Sequence, residues 1–169
     1  MKYHRILLKL SGEALSGDKG FGFDEATVRQ VAKQVKEAHD LGVEIGVVIG
    51  AGNFWRGRSS QEMDRVKADQ IGMLATVMNC LYASEIFRGE GMETSIYAPY
   101  PVGLYTENFN KDKVNRDLAQ QKVVFYAGGT GHPYFSTDMA IALRAVETDC
   151  DVMLMAKSVD GVYDDDPRK

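Results

Sequence analysis

The chain has 169 residues, 44% of them hydrophobic and 26% charged, which excludes a disordered or fibrous polypeptide and allows one domain with a sizeable core. Its 24 acidic and 20 basic residues leave a net charge of -4, which argues against nucleic acid as the primary partner. Seventeen glycines against four prolines is the one compositional oddity, and the glycines cluster, as they do where backbone approaches something closely.

Taken in chain order, Arg5 to Leu10 is a short β-prone run that ends at Ser11-Gly12. Asp24 can cap a helix with Val28, Val31, Ala32, Val35 and Ala38 on one face and Gly42 at its C-terminal end. Val43 to Ile49 suits a buried strand and ends in Gly50-Ala51-Gly52-Asn53. A helix over Val66 to Arg88, stopped by Gly89 and Gly91, has Ile71, Leu74, Ala75, Met78 and Tyr82 on its expected inner face. Glu93 to Ala98 reads as a third strand, Pro99 to Asn110 as a loop, and Lys111 to Gln121 as a short helix. Val123 to Ala127 is a fourth strand, followed by Gly128-Gly129-Thr130-Gly131. Thr137 or Asp138 can cap a helix running to Glu147, and Val152 to Ala156 is a fifth strand.

Alternating strands and helices of this kind form an α/β protein with a mostly parallel sheet. Its strand-to-helix turns share the carboxyl edge of the sheet, where ligands bind. Four such turns carry glycine, hydroxyl or charge: Ser11-Gly12, Gly50 to Arg56, Gly128 to Thr137, and Lys157 to Asp166. A glycine turn feeding a helix exposes backbone N–H groups at the positive end of the helix dipole, which suits a phosphate. The common nucleotide signatures fail on spacing. A dinucleotide fingerprint needs a third glycine where Trp55, Tyr134 or Glu25 stands, and no P-loop or protein-kinase signature occurs.

Cys80 and Cys150 lie in apolar contexts without a CxxC or Cys/His cluster, so they read as reduced core thiols, and no metal is assigned to protein ligands. No apolar run approaches the ~18 residues of a membrane span, and the N-terminal stretch is too short and interrupted for a secretory signal. A cytoplasmic protein without a membrane partner is expected. Met73, Met78, Met139, Met153 and Met155 suit core packing, whereas His4 and His39 carry no motif and read as solvated. Phe54 and Trp55 should wall the pocket or pack at a subunit contact. Asp164-Asp165-Asp166 lacks the spacing of a calcium loop and reads as part of a nucleotide-side loop.

Four segments together carry a resemblance: Leu8-Lys9-Leu10-Ser11-Gly12-Glu13-Ala14-Leu15, Gly50-Ala51-Gly52-Asn53-Phe54-Trp55-Arg56-Gly57, Thr130 to Asp138, and Val159-Asp160-Gly161-Val162-Tyr163 with Asp166-Pro167. In this order they resemble the bacterial uridylate kinases of the amino acid kinase superfamily. The resemblance implies a three-layer α/β/α sandwich, hexamer assembly, and transfer of the ATP γ-phosphoryl group to UMP with magnesium, in pyrimidine nucleotide synthesis. It implies catalytic roles for Lys9, Arg56 and Asp138. It places Lys9, Leu10, Ser11, Gly12, Gly52 and Arg56 at the ATP phosphates, and Lys157, Tyr163 and Asp166 at the nucleoside part. The UMP site falls on Ala51, Asp69, Thr130, Gly131, His132, Pro133, Tyr134, Phe135, Ser136 and Thr137. Gly17, Asp18, Lys19, Gly20, Phe21 and Gly22 match the loop used for activation by GTP, and UTP is the expected inhibitor.

The chemistry of these residue types agrees. Phosphoryl transfer needs positioning and charge stabilisation, which a lysine at a strand end and a forked arginine supply. Asp138 can orient Lys9 or serve as a plain helix cap, and Asp69 can accept from ribose hydroxyls or simply favour its helix dipole. Three positions depart from the family pattern. Ala51 replaces the middle glycine of a three-glycine turn, which preserves an N–H contact if its φ is negative. His132 stands for the usual asparagine, and a UMP affinity that varies with pH is expected from it. Lys157 stands where some members have threonine. The alternatives are a kinase of the same fold acting on an amino acid or carbamate, and a nucleotide-binding regulator with little turnover. The Thr130 to Thr137 segment and the Gly17 to Gly22 loop favour a nucleotide acceptor. Uridylate kinases continue beyond the Asp166-Pro167 motif, so residues 1–169 are expected to form one domain lacking the C-terminal part of the ATP region.

Overall fold

The computed structural model describes residues 2–55 and 62–156. Six strands, β1 (Arg5–Leu10), β2 (Glu44–Ile49), β3 (Thr94–Ala98), β4 (Glu107–Asn108), β5 (Val123–Tyr126) and β6 (Val152–Ala156), form one sheet in the order β4-β3-β5-β2-β1-β6. Every pairing is parallel, with Leu10 opposite Ile49 and Val48 opposite Tyr126 at the carboxyl edge.

Two helical layers cover the sheet. On one face α1 (Glu13–Ser16), α2 (Glu25–Asp40) and α3 (Arg65–Gly89) bury Leu15, Val28, Ala32, Val35, Cys80, Ala83 and Phe87 against Ile45, Val47, Ile49, Val123 and Phe125. On the other, α4 (Lys111–Ala119) and α5 (Thr137–Glu147) bury Val114, Leu118, Ala140, Ile141 and Ala145 against Leu7, Val48, Val124 and Tyr126. The central strands are therefore apolar on both faces, as parallel strands must be. Gly46 on β2 makes room for a neighbour, because a Cβ there would lie 2.6 Å from Leu7 Cδ1 and 2.8 Å from the Tyr126 ring. The expected three-layer α/β/α architecture is the one observed.

The helix ends follow local chemistry. Asp24, Asp64 and Asn110 each accept from the backbone N–H three residues on, capping α2, α3 and α4. The cap of α5 is Ser136, which accepts from Met139 N–H, rather than Thr137 or Asp138 as the sequence suggests. Two short pieces escape pattern reading. The four residues of α1 and the 3-10 turn Gly17–Lys19 are too brief for a period, and β4, two residues long, lies inside the segment read as a loop.

The inner face of α3 differs from the one hydropathy selects. Ile71, Leu74 and Met78 are exposed, while Ala68, Ala75, Thr76, Asn79, Cys80, Ala83 and Phe87 are buried. Small residues let the helix approach the sheet closely, and two of the polar ones bind glycine turns, so the apolar stripe does not mark the contact. Met139 on α5 and Met153 and Met155 on the edge strand β6 are likewise exposed rather than in the core. His39, read as solvated, has only 16% of its side chain exposed and places Nε2 2.8 Å from the Gln121 carbonyl.

On the second layer, Tyr97 Oη and Lys122 Nζ donate to the two oxygens of Asp117, each at 2.8 Å. Burial alone would push the Asp117 carboxyl up, but the hydrogen bonds from Lys122 and Tyr97 hold it below its ordinary value. A depressed carboxyl adds stability above its unfolded pKa of about 3.9, and that stability disappears as pH falls through the folded value. Asp117→Asn should therefore cost about 1–3 kcal/mol at pH 7 in urea denaturation. The gap from the unchanged chain should narrow below about pH 4.

Candidate functional site

The Leu10–Ile49 pairing brings two turns side by side as they leave the sheet. Gly50 N–H donates to the Leu10 carbonyl at 3.0 Å. A Cβ at Gly12 would lie 2.5 Å from both Gly50 O and Gly52 N and 2.7 Å from Asn53 Oδ1, so only glycine fits between these backbones. The position of a Cβ on Gly50 is 3.4 Å from Gly12 N and 3.5 Å from Thr137 Oγ1, which places the start of α5 at the same point. Ser11-Gly12, Gly50 to Asn53 and Thr137 thus converge from three parts of the chain. Ala51, the departure from an all-glycine turn, does not have a positive φ, so its N–H keeps an ordinary orientation.

Lys9, one residue before the end of β1, is 8% exposed, and its Nζ lies 3.1 Å from Asp138 Oδ1 on the first turn of α5. Ser136 caps that helix, and the Asp138 carboxylate faces the lysine. The pairing holds the ammonium at the carboxyl edge, where partial burial makes Coulomb forces stronger than in water.

Beside this cluster is a cavity of about 700 Å³. Ala51 and Gly52, Glu13 of α1, Asp69 and Thr76 of α3, and the segment Gly129 to Thr137 contribute to its walls. Of the expected UMP residues, Ala51, Asp69, Thr130, His132, Tyr134, Phe135, Ser136 and Thr137 line it. Gly131 and Pro133 shape the same loop behind them, with Gly131 at φ +85. Trp55 walls the cavity and donates from Nε1 to the Ala68 carbonyl at 2.8 Å, which settles one of its two expected roles. Arg56, Lys157, Tyr163, Asp166 and the Asp164-Asp165-Asp166 run lie outside the described residues.

Asp69 is more constrained than the sequence suggests. Arg65 Nε donates to both of its oxygens at 3.0 Å, and Tyr134 N–H donates to Oδ2 at 2.7 Å. Tyr134 itself adopts φ +71, a left-handed backbone that a tyrosine rarely takes, and its ring lies 5.5 Å from the Arg65 guanidinium carbon. The carboxylate therefore straps the Thr130 to Thr137 segment across α3 and faces the cavity.

The Gly17 to Gly22 loop lies beside the cavity rather than on its walls. Gly22 N–H donates to the Asn53 carbonyl at 3.0 Å, while exposed Phe21 meets Phe54 edge-on with ring centroids 5.4 Å apart. Lys19 Nζ lies 3.3 Å from Asp24 Oδ2. The Thr27 backbone N–H, followed by Lys19, holds the Asp24 carboxyl below its ordinary range. Asn79 and Thr76, which bind the glycine turns from α3, were not selected from the sequence. Their only signal there is a polar side chain on what proves to be the buried face.

The chain is similar to known proteins in sequence and in fold. Residues 4–169 match the amino acid kinase family. The solved UMP kinase from Bacillus anthracis is similar with a TM-score of 0.92 at 34% identity, covering 99% of this chain and 70% of that one. The UMP kinase from Ureaplasma parvum is similar with a TM-score of 0.90 at 32% identity, covering 99% of this chain and 72% of that one.

The contact at Gly12 gives a direct check of the ATP phosphate site expected at these turns. Gly12→Ala should weaken ATP binding at least about tenfold by titration calorimetry, since a clash with backbone can be relieved only by moving the turn. Gly89→Ala, whose Cβ would meet only Arg29 Nη1 at 4.0 Å, should leave affinity unchanged.

Proposed function

The chain belongs to the amino acid kinase family and, within it, to the UMP kinases, and we propose that it transfers the γ-phosphoryl group of ATP to UMP, giving ADP and UDP. The observation that carries this reading is the ion pair of buried Lys9 with partly exposed Asp138 at the meeting point of three turns, next to a cavity of nucleotide size. The acceptor is an oxygen of the UMP phosphate. It attacks the γ-phosphorus in line, the bond to the β–γ bridging oxygen breaks, and that electron pair leaves with ADP. The UMP phosphate is already anionic near neutral pH, so no protein base has to remove a proton.

Lys9 neutralises charge developing on the transferred group, and Asp138 holds its ammonium in place. Backbone N–H groups from Leu10 to Gly12 and from Gly52, with Arg56, cradle the ATP phosphates. Ala51, Asp69 and Thr130 to Thr137 hold UMP, with Asp69 accepting from ribose hydroxyls. Lys157, Tyr163 and Asp166 serve the ATP nucleoside, and the Gly17 to Gly22 loop carries the response to GTP, with UTP as inhibitor. Magnesium fits as an ion carried by ATP. Among the described residues no three His, Cys, Asp or Glu side chains gather as a cage, and Mg²⁺ characteristically keeps waters and substrate phosphates with one or two carboxylates. Asp138 would be the carboxylate to hold it, and the ion would supply charge neutralisation to the ATP phosphates.

Among the described residues no helix is long and apolar enough to cross a membrane. Exposed Leu74 and Met78 on α3 support assembly into an oligomer, of which a hexamer is our reading, in a cytoplasmic enzyme of pyrimidine nucleotide synthesis.

Measured ADP release with UMP, CMP, acetylglutamate, carbamate and no acceptor tests the proposal. Fast turnover with UMP alone is expected. Turnover only with acetylglutamate or carbamate would replace the acceptor, and UMP binding without ADP release would make the chain a regulator. Lys9→Ala should lower kcat by about 10²–10³ with the KM for UMP changed little. Asp69→Asn should instead raise the KM for UMP about tenfold, the loss of roughly one hydrogen bond to a charged acceptor.

A further inference from the structure

Between the cradle, α3 and the Gly17 to Gly22 loop lies a pair of side-chain amides with no role in the reading above. Asn53 is 1% exposed and Asn79 is fully buried. Asn79 Nδ2 donates to Asn53 Oδ1 at 2.8 Å, and Asn53 Nδ2 donates back to Asn79 Oδ1 at 2.9 Å. Each amide has one N–H left. That of Asn79 goes to the Gly50 carbonyl at 2.7 Å, and that of Asn53 to the Gly22 carbonyl at 2.9 Å. All four amide hydrogens are used, so both amide orientations are fixed by the network.

A neighbouring contact extends the same logic. Thr76, one helical turn before Asn79, accepts from Gly128 N–H at 2.8 Å through its hydroxyl oxygen. The hydroxyl also donates to the Met73 carbonyl at 2.6 Å. One buried face of α3 thus grips the turn after β2 at Gly50 and the turn after β5 at Gly128. Asn53 Oδ1 lies 2.7 Å from where a Gly12 Cβ would be, so the amide pair also sets how closely the Ser11-Gly12 turn can approach.

We infer that Asn79 is a positioning residue for phosphoryl transfer: through the Gly50 carbonyl and the Asn53 amide it fixes the Gly50 to Asn53 turn against the Ser11-Gly12 turn, and through Asn53 it ties that turn to the Gly17 to Gly22 loop. The inference rests on the kinase reading and deepens it. Asn79 acts through the turn and touches no substrate. Its contribution is geometric, since a displacement of about 1 Å in a phosphate cradle can cost about 10² in rate.

Asn79→Asp keeps the size of the side chain and removes both donors. At pH 8 its carboxylate faces the Gly50 carbonyl oxygen, and the turn should shift. kcat should fall about 10- to 100-fold while the KM values for ATP and UMP stay within about threefold. Burial beside a carbonyl raises a carboxyl pKa. At pH 6 a protonated acid can donate to Gly50 again, and at least about a fivefold recovery relative to the unchanged chain is expected. Asn53→Asp keeps both Asn79 donations, to Gly50 and to residue 53, and loses those from residue 53 to Gly22 and to Asn79 Oδ1, so its kcat should fall clearly less than that of Asn79→Asp.

Loss of activity merely in proportion to the unfolded fraction, or an Asn79→Asp kcat within twofold of the unchanged chain at both pH values, would overturn the inference. If Asn79→Asp does not fold, Asn79→Ser takes its place. The same fall in kcat without the recovery at pH 6 supports the inference, and an unchanged kcat overturns it. UMP turnover by the unchanged chain tests the kinase reading separately. Should that turnover be absent, affinity for tripolyphosphate becomes the readout: about tenfold weaker binding in the variant supports the positioning role, and equal binding overturns it.

Discussion

The in-register parallel pairing of β1 with β2 is the constraint on which the rest of the molecule depends. Leu10 opposite Ile49 makes both chains leave the sheet at the same level, and the Gly50 N–H bond to the Leu10 carbonyl extends that pairing into the turns. Two backbones then lie closer than any side chain permits, which accounts for glycine at position 12. The arrangement is held from below by a sheet that is apolar on both faces, with Leu7 and Val48 turned to one layer and Ile45, Val47 and Ile49 to the other. A slip of one residue would exchange those faces and separate the turns.

The long helix α3 serves this edge in an unusual way for a core element. Phe87, Cys80 and Ala83 pack against the sheet near one end, whereas Asn79, Thr76 and Asp69 serve the turns and the cavity toward the other. Buried polar groups are costly unless each is paired. Here the pairing goes to main-chain atoms of Gly22, Gly50 and Gly128, so the same bonds that satisfy the helix fix the loops. Stability and site geometry are consequently coupled through one helix face.

That coupling also explains which parts of the protein are legible without coordinates. The strands β1, β2, β3, β5 and β6 and the helices α2 to α5 all fall where hydropathy and caps put them, within one or two residues at most ends. They are long or strongly patterned. The inner face of α3 escapes the same reasoning because its buried residues are small or polar, and the exposed Ile71, Leu74 and Met78 carry the stronger apolar signal. Ser136, rather than its neighbours, caps α5, and a run of two hydroxyls and an acid offers no sequence basis for choosing among them. Most of the expected cavity residues do meet, because a parallel sheet collects its turns at one edge whatever their separation in the chain.

The amino-acid sequence by itself determined the α/β class, the element order, the glycine turns and the residue types suited to phosphate, since each is written in local pattern and spacing. Tertiary structure alone decided that Asp138 faces Lys9 instead of capping its helix, that Asp69 straps the Tyr134 backbone, and that Asn53 and Asn79, 26 residues apart, share one buried amide pair. The physical reason is the same in each case. A polar side chain can satisfy itself locally or across the fold with similar energy, and only the packing of the sheet edge determines which partner lies within reach.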